Sequence, residues 1–214
     1  MEFKMDQEIA IEIIKIIPGI LTIFLAIFLV VIFYRPIKND LIPRMCSFKA
    51  LGIEASFTEK IQKDVIAASE KINFQISAYA SLIVAQRASR LVKLIKNPHI
   101  LWVDDYPRNN TIEIKILETL GIIVDIAINT DEALRFLGKR DYDVIISDIM
   151  RNGIQDEGIR FLGEAIHLNP NNKIIFYTGN VEFERGTPPY AFGITNRPDE
   201  LLHLVFDALE RIKF

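Results

Sequence analysis

The hydrophobic pattern of the chain begins with one long apolar segment near the N-terminus. Residues 16–34 read IIPGILTIFLAIFLVVIFY and carry no charged side chain. A helix rises about 1.5 Å per residue, so a helix of this length spans the hydrocarbon core of a bilayer, which is about 30 Å thick. The pattern therefore predicts a single transmembrane helix over residues 16–34.

The residues that flank this segment predict its orientation. Residues 1–15 are net acidic, whereas Arg35, Lys38, Arg44 and Lys49 follow the apolar segment. Lys and Arg accumulate on the cytoplasmic side of membrane helices, and no small-residue cleavage site of a signal peptide follows the apolar run. We therefore expect a short extracytoplasmic N-terminus at residues 1–15, a single-pass location in the cell membrane and a cytoplasmic C-terminal part.

The middle of the chain changes from a proline-containing stretch to a helical one. Residues 35–57 contain two prolines and mixed charges, which predicts a juxtamembrane linker. Residues 58–97 contain neither proline nor glycine, and Thr58 is a suitable N-cap. Apolar side chains recur there at helical spacing, at Ile61, Val65, Ala68, Ile72, Ile76, Tyr79 and Ile83. The pattern predicts one long amphipathic helix, whose apolar stripe either pairs with a second copy as a coiled coil in a homodimer or packs on its own chain.

Short apolar runs alternate with amphipathic stretches from residue 98 to residue 214. The runs are HILWVDD, IIVDIAI, YDVIISD, KIIFYTG and AFGIT, and a helical pattern follows each of them except the fourth, where the connection is irregular. Uninterrupted apolar runs are typical of strands that are buried on both faces, and their alternation with helices is typical of a parallel sheet. We therefore predict an α/β domain at residues 98–214 with a doubly wound, five-stranded parallel sheet.

Acidic and hydroxyl residues stand at the carboxyl ends of three of these predicted strands. Asp104 and Asp105 follow the first strand, Asp148 follows the third and Thr178 follows the fourth. In a doubly wound sheet, ligand sites form at this edge. Three neighbouring carboxylates repel one another, and a hard cation that prefers oxygen ligands relieves the repulsion. The positions therefore predict a Mg²⁺ site, although aspartates also end strands and cap helices without any ligand.

The composition argues against several classes of function. The net charge is −3, and no dense stripe of Lys and Arg occurs outside the membrane flank, so we do not expect a nucleic-acid partner. The single cysteine, Cys46, excludes an intrachain disulfide. The sequence contains no P-loop, no G-x-S-x-G and no dinucleotide-binding glycine motif, and we do not expect an enzyme.

Three motifs together resemble a known family. The segments ILWVDD, VIISDIM and IIFYTG, followed by a strand that leads into a proline-started last helix, resemble the receiver domain of bacterial two-component response regulators. The resemblance covers residues 98–214 and implies the receiver fold, which is flavodoxin-like. It also implies a phosphorelay signalling protein whose partner is a histidine kinase or a phosphotransfer protein.

The resemblance also implies roles for individual residues. Asp148 would accept the phosphoryl group, and Thr178 would bond its oxygens after transfer. Asp105 would bind Mg²⁺ directly, Asp104 would bind it through water, and the backbone carbonyl of Met150 would be a further ligand. A carboxylate can take a phosphoryl group from phosphohistidine when a metal neutralises the phosphoryl oxygens, so these roles form a coherent chemistry.

The chain departs from the family pattern at several positions. Arg197 takes the place of the lysine that pairs with the phosphoryl group, and Ile194 takes the place of the aromatic residue whose movement reports phosphorylation. Gly158 arrives about two residues late, which lengthens the loop after Asp148. The glycine and prolines of residues 186–189 argue against a full fourth helix of the family's kind.

These departures leave two functions open. The first is a membrane-anchored cytoplasmic signalling protein that accepts a phosphoryl group on Asp148 with Mg²⁺. The second is a pseudo-receiver that is not phosphorylated and acts at the membrane as an adaptor or ligand sensor through protein–protein interaction. A phosphatase of the haloacid dehalogenase type is disfavoured, because it needs a second aspartate two residues after the nucleophile, where Met150 stands.

Overall fold

The computed structural model describes residues 42–179 and 186–211, together with Ile23, Leu25 and Phe28. The chain divides into two compact units, Met1–Ile53 and Glu54–Phe214. The predicted N-terminal segment and most of the predicted transmembrane helix lie outside the described residues, and the three described positions within that helix are helical with exposed side chains. No helix formed by the described residues is long and apolar enough to cross a bilayer.

Five parallel strands form one sheet in the second unit. They are β1 His99–Val103, β2 Ile123–Ala127, β3 Val144–Ser147, β4 Ile174–Tyr177 and β5 Gly193–Thr195. Their order across the sheet is β2-β1-β3-β4-β5, and every neighbouring pair is parallel. The predicted doubly wound sheet is confirmed, because the direction in which strands are added reverses between β1 and β3. The reversal places the carboxyl ends of β1 and β3 side by side.

Helices cover both faces of the sheet. They are α1 Ile42–Lys71, α2 Ala78–Leu94, α3 Thr111–Thr119, α4 Thr130–Leu137, α5 Glu157–Leu168 and α6 Pro198–Glu210, with a 3-10 helix at Pro107–Asn110 before α3. Trp102 packs in one hydrophobic cluster with residues of α3 and α6, whereas its neighbour Val103 packs in a second cluster with residues of α4 and α5. Burial of a large apolar side chain contributes about 1.5–3 kcal/mol. Because β1, β3 and β4 are buried on both faces, these strands read as apolar runs.

The prediction of one helix over residues 58–97 is wrong, because the structure has two helices there. α1 already begins at Ile42, within the stretch predicted as a linker, and it ends at Lys71. α2 begins only at Ala78. The two helices therefore form a hairpin, and the residues between them form a tight turn.

Local capping bonds explain this interruption. Asn73 has a positive φ of 57°, and the N–H of Phe74 donates to the carbonyl of Ser69 at 2.9 Å. This is a Schellman cap, in which a residue in the left-handed conformation ends a helix and satisfies its last carbonyls. Ser77 then caps α2, because its hydroxyl oxygen accepts the N–H of Ala80 at 3.0 Å.

The apolar stripe of the hairpin packs on its own chain, which is one of the two arrangements that the sequence left open. Val65 of α1 and Val84 and Ala88 of α2 are fully buried. They belong to the same hydrophobic cluster as Phe206 of α6. A homodimer stays a prediction, but these buried positions are not available to form its seam.

Arg87 of α2 adds polar contacts between the hairpin and α6. Its guanidinium lies 2.5 Å from a carboxylate oxygen of Asp207 and 2.7 Å from one of Glu210. The same guanidinium stands 5.6 Å from the centre of the Phe206 ring. The hairpin is therefore held on α6 by both apolar and charged contacts.

The connection between β4 and β5 is irregular where the structure describes it. Residues 186–192 contain no helix, and Gly186 and Tyr190 both have positive φ, of 66° and 68°. Residues 180–185 lie outside the described ranges. In its described part, this connection agrees with the prediction that no full fourth helix of the family's kind is present.

Candidate functional site

The carboxyl ends of the strands bring most of the predicted site residues together. Asp104 follows β1, Asp148 follows β3 and Thr178 follows β4. The backbone N–H of Asp104 bonds the carbonyl of Ala127 at 2.9 Å, and that of Asp148 bonds the carbonyl of Val103 at 3.0 Å. Hydrogen bonds that extend the sheet ladder therefore position the backbone of Asp104 and Asp148.

Asp104, Asp105 and Asp148 form one carboxylate cluster. One oxygen atom from each lies within 4.8 Å of the others. Asp104 is buried, and the other two are half-buried. Burial raises the pKa of Asp148 above its ordinary value, the hydroxyl of Thr178 bonds the carboxylate and lowers the pKa, and the charge of Asp104 raises it. The predicted carboxylate ligands and the predicted threonine thus meet at one place.

Neutral donors hold each carboxylate of this cluster. Tyr106 N–H and the Asn110 amide both donate to Asp104, at 2.6 Å. The N–H of Asn152 donates to Asp105 at 2.8 Å. The N–H of Ile149 donates to Asp148 at 2.7 Å. These donors orient the carboxylates without neutralising them.

The residues fit Mg²⁺, because three carboxylates supply the hard oxygen ligands that this ion prefers. Met150, whose carbonyl is the fourth predicted ligand, lines the same pocket.

A glycine permits the close packing of the loop after Asp148. A Cβ atom on Gly158 would lie 2.3 Å from the backbone oxygen of Asp148 and 2.7 Å from Cα of Ile149. The N–H of Gly158 bonds the carbonyl of Ile149 at 2.8 Å. Only a residue without Cβ can approach so closely. The first turn of α5 therefore packs on the backbone of Asp148, although Gly158 arrives late in the sequence.

Arg151 is a residue near the site that the sequence analysis missed. Its side chain is completely buried. The guanidinium donates to the hydroxyl of Ser147, to the carbonyl of Asp148 at 3.2 Å and to the hydroxyl of Thr130 at 2.9 Å. Burial lowers the pKa of Arg151. Several nearby carboxylates raise it, and that of Glu157 has the largest effect among them. An arginine in a polar loop reads as solvent-exposed, so no sequence signal pointed to this buried position.

Arg197 is the predicted partner of the phosphoryl group, but it does not line the pocket that contains the carboxylate cluster. Its neighbour Asn196 lines that pocket. The guanidinium of Arg197 makes two hydrogen bonds to Asp199, at 3.2 and 2.6 Å. It also lies 4.4 Å from the centre of the Phe74 ring. The buried carboxylate of Asp199, two residues further along the chain, holds the guanidinium away from the carboxylate cluster.

Lys71, at the end of α1, lines the pocket with the carboxylate cluster. The pocket has a volume of about 440 Å³. The ammonium group of Lys71 donates to the backbone carbonyl of Asn109, in the 3-10 helix beside Asp104. The sequence could not point to Lys71, because its position depends on the turn between α1 and α2.

Trp102 and Tyr177 connect the pocket to the core. Trp102 is 1% exposed, and its ring meets that of Tyr177 edge to face with centroids 6.0 Å apart. Tyr177 lines the pocket, and its hydroxyl donates to the carboxylate of Glu113 at 3.0 Å. As the single tryptophan of the chain, Trp102 is a natural fluorescent reporter of this site.

Comparison with known proteins gives similarities to response regulators. The chain is similar to the solved structure of the response regulator protein TrrA from Thermotoga maritima in complex with Mg²⁺-BeF, with 29% identity over 52% of this chain and 99% of that chain and a TM-score of 0.47. It is also similar to a CheY-like receiver domain protein from Methanospirillum hungatei JF-1, with 26% identity over 54% of this chain and 96% of that chain and a TM-score of 0.47. No curated protein matches the chain.

The family model of the response regulator receiver domain matches residues 100–193. The match includes β1 without its first residue, β2 to β4 and the first residue of β5, and with them Asp104, Asp105, Asp148 and Thr178. Arg197 and α6 lie beyond the matched residues. Residues 100–193 of this chain are therefore similar to a response regulator receiver domain.

Proposed function

We propose that this chain is a membrane-anchored cytoplasmic signalling protein whose receiver domain accepts a phosphoryl group on Asp148. The observation that carries the proposal is the cluster of three carboxylates within 4.8 Å of one another, together with the hydroxyl of Thr178 on Asp148. The family match of residues 100–193 supports it. The proposed donor is a histidine kinase or a phosphotransfer protein, and the proposed output is a partner docked at the membrane.

The proposed step is a substitution at phosphorus. A carboxylate oxygen of Asp148 attacks the phosphorus atom of a phosphohistidine and forms a P–O bond. The P–N bond breaks, and its electron pair leaves with the imidazole nitrogen. The donor ring carries a proton on its other nitrogen, so it leaves as neutral imidazole. The hydroxyl of Thr178, which now donates to Asp148, donates to the new phosphoryl oxygens instead. The product is an acyl phosphate on Asp148.

The residues that would hold Mg²⁺ are Asp104, Asp105, Asp148 and the carbonyl of Met150. The ion would supply positive charge to the phosphoryl oxygens during transfer. Asp104 and Asp105 are held in place by their backbone and amide donors. Asp148 must be ionised to act as the nucleophile, and burial works against this by raising its pKa. The carboxylate cluster therefore depends on a cation both for its charge balance and for its reactivity.

The membrane location in this proposal depends on the uncharged segment 16–34 and on the basic residues that follow it. The test is whether the full-length chain stays with the membrane fraction after an alkaline carbonate wash. A variant that lacks residues 16–34 is expected in the supernatant. If the full-length chain is released by the wash, the proposed membrane anchor is wrong.

Phosphoryl acceptance is tested on the full-length chain in detergent. Addition of Mg²⁺, and then of beryllium fluoride, is expected to change the fluorescence of Trp102 in two steps. A small phosphodonor with Mg²⁺ is expected to add one phosphoryl group, detected by intact mass. Asp148→Asn keeps the size of the side chain but removes the nucleophile, and it should abolish both the beryllium fluoride step and the mass increase. A mass increase that persists in Asp148→Asn would contradict the assignment of Asp148.

A second candidate function is the pseudo-receiver, an adaptor or ligand sensor that is not phosphorylated. The observation that favours it is the ion pair of Arg197 with Asp199, because it directs the guanidinium away from the place where a phosphoryl group would form. This candidate predicts a fluorescence response to Mg²⁺ without a further response to beryllium fluoride and without a mass increase. The same titration therefore separates the two functions.

A further inference from the structure

The pocket has an unbalanced charge. Asp104, Asp105 and Asp148 all line it, and among the described residues that line it Lys71 is the single basic side chain. A phosphoryl group on Asp148 would add further negative charge at the same place. A cation close to the new oxygens would therefore stabilise the phosphorylated state, through a hydrogen bond between two charged groups.

Arg197 is poorly suited to supply this cation. Its guanidinium makes two hydrogen bonds to Asp199, and the side chain of Asp199 is only 6% exposed. If Arg197 turned toward the pocket, it would leave the buried carboxylate of Asp199 without its charged partner, which is unfavourable. It would also lose its contact with the ring of Phe74, 4.4 Å away. Both losses favour the observed position of Arg197.

Lys71 has no such constraint. It is exposed, and the ammonium group donates to one described partner, the backbone carbonyl of Asn109. That carbonyl is on the 3-10 helix, one residue before Asn110, whose amide bonds Asp104. The long, flexible stem of a lysine lets the ammonium group move a few ångströms without movement of the backbone. Lys71 therefore can exchange a neutral carbonyl for a charged oxygen within the same pocket.

We propose that Lys71 pairs with the phosphoryl group on Asp148 and so couples the site to the α1–α2 hairpin. This proposal rests on the proposed function. Lys71 is the last residue of α1 and is directly followed by the turn in which Asn73 and Phe74 lie. When the ammonium group bonds the phosphoryl oxygens, it ties the end of α1 to the carboxylate cluster. Phosphorylation is then reported by the hairpin.

The test compares the affinity of the full-length chain in detergent for beryllium fluoride at saturating Mg²⁺, with Trp102 fluorescence as the signal. Lys71→Gln is expected to weaken this affinity about tenfold or more, the usual effect of losing a charged hydrogen bond. Lys71→Arg, which keeps the charge, should retain most of it. Lys63→Gln is the matched control, because Lys63 is an exposed lysine of the same helix that pairs with Glu59 at 2.6 Å, and it should bind like the wild type.

A second measurement follows the hairpin itself. Beryllium fluoride is expected to slow amide hydrogen exchange in residues 72–77 of the wild-type chain. The slowing should be absent in Lys71→Gln and present in Lys63→Gln. Slowing that persists in Lys71→Gln would show that another contact holds the turn, and it would overturn the coupling.

The possible outcomes separate this proposal from the proposed function. If Lys71→Gln binds beryllium fluoride as tightly as the wild type, Lys71 is not the partner, and phosphoryl acceptance on Asp148 is unaffected. If only Arg197→Gln weakens the affinity, Arg197 is the partner after all. If the wild-type chain responds to Mg²⁺ but not to beryllium fluoride, the proposed phosphoryl acceptance and the role of Lys71 both fail.

Discussion

The guanidinium of Arg197 lies 4.4 Å from the centre of the Phe74 ring. Arg197 is the residue before α6, and Phe74 lies in the turn between α1 and α2. Such cation–π contacts contribute about 0.5–1 kcal/mol at exposed positions. The contact shows that the hairpin reaches the edge of the functional site and does not only cover the outer side of α6.

The helix break at Asn73 can be tested by the sign of a substitution. Asn73 has a positive φ of 57°, so Asn73→Ala is expected to destabilise the chain by about 1 kcal/mol, and Asn73→Gly should have no effect or a stabilising one. In an uninterrupted helix the order would reverse, because alanine favours helices and glycine does not. Urea unfolding of the three proteins measures the order, and an alanine variant more stable than the glycine variant would contradict the hairpin.

The packing of Gly158 on the site predicts a large effect of one added methyl group. Gly158→Ala places Cβ 2.3 Å from the backbone oxygen of Asp148, and we expect a loss of about 1–3 kcal/mol in the free energy of unfolding. The affinity for Mg²⁺ should also fall, because Asp148 is displaced.

The control for this substitution lies in the same helix. Gly163 is exposed in α5, and a Cβ there meets nothing within 4 Å. Gly163→Ala should therefore stabilise the chain by about 0.5–1 kcal/mol. Equal effects of the two substitutions would show that the close approach of Gly158 to Asp148 is not rigid.

Because Arg151 is buried, we expect it to contribute more to the free energy of unfolding than Arg160. Arg151→Met leaves the buried hydroxyls of Ser147 and Thr130 without a charged donor, and each such loss destabilises by about 1–3 kcal/mol. Arg160 bonds Glu157 at 2.8 Å, but its side chain is 64% exposed. Arg160→Met should therefore change stability by less than about 1 kcal/mol. Urea unfolding of both variants decides, and similar losses would mean that Arg151 is solvated.

Glu113 predicts a pH dependence of stability. Burial raises the pKa of this carboxyl, although the Tyr177 hydroxyl and the charge of Lys71 lower it. The folded chain then binds the proton more tightly than the unfolded chain, so the contribution of Glu113 to stability falls as pH rises from the ordinary pKa of 4.5 through the raised pKa.

Glu113→Gln removes this titration. The variant should be more stable than the wild type at neutral pH, and the difference should shrink as pH falls and stop changing below 4.5. Glu118→Gln, on the exposed side of α3, is the control and should show no such trend. A constant difference between Glu113→Gln and the wild type at every pH would mean that Glu113 does not titrate in this range.

The sequence alone determined the sheet and the carboxylate cluster. Short apolar runs that alternate with helical patterns predict a parallel sheet, and parallel strands place their carboxyl ends at one edge. Asp104, Asp105, Asp148 and Thr178 therefore converge wherever the strands pair in this order. These predictions needed only local patterns and the topology that follows from them.

Other features were decided only by tertiary structure. Asn73 ends α1 through a cap that continuous apolar spacing conceals, so the turn could not be read from periodicity. Arg197 pairs with Asp199, Arg151 is buried and Lys71 lines the pocket. The sequence could not show these positions, because the partner of a charged side chain depends on which groups lie near it in space. A charged side chain has the same sequence signal whether it is solvated or paired, and only the folded chain distinguishes the two.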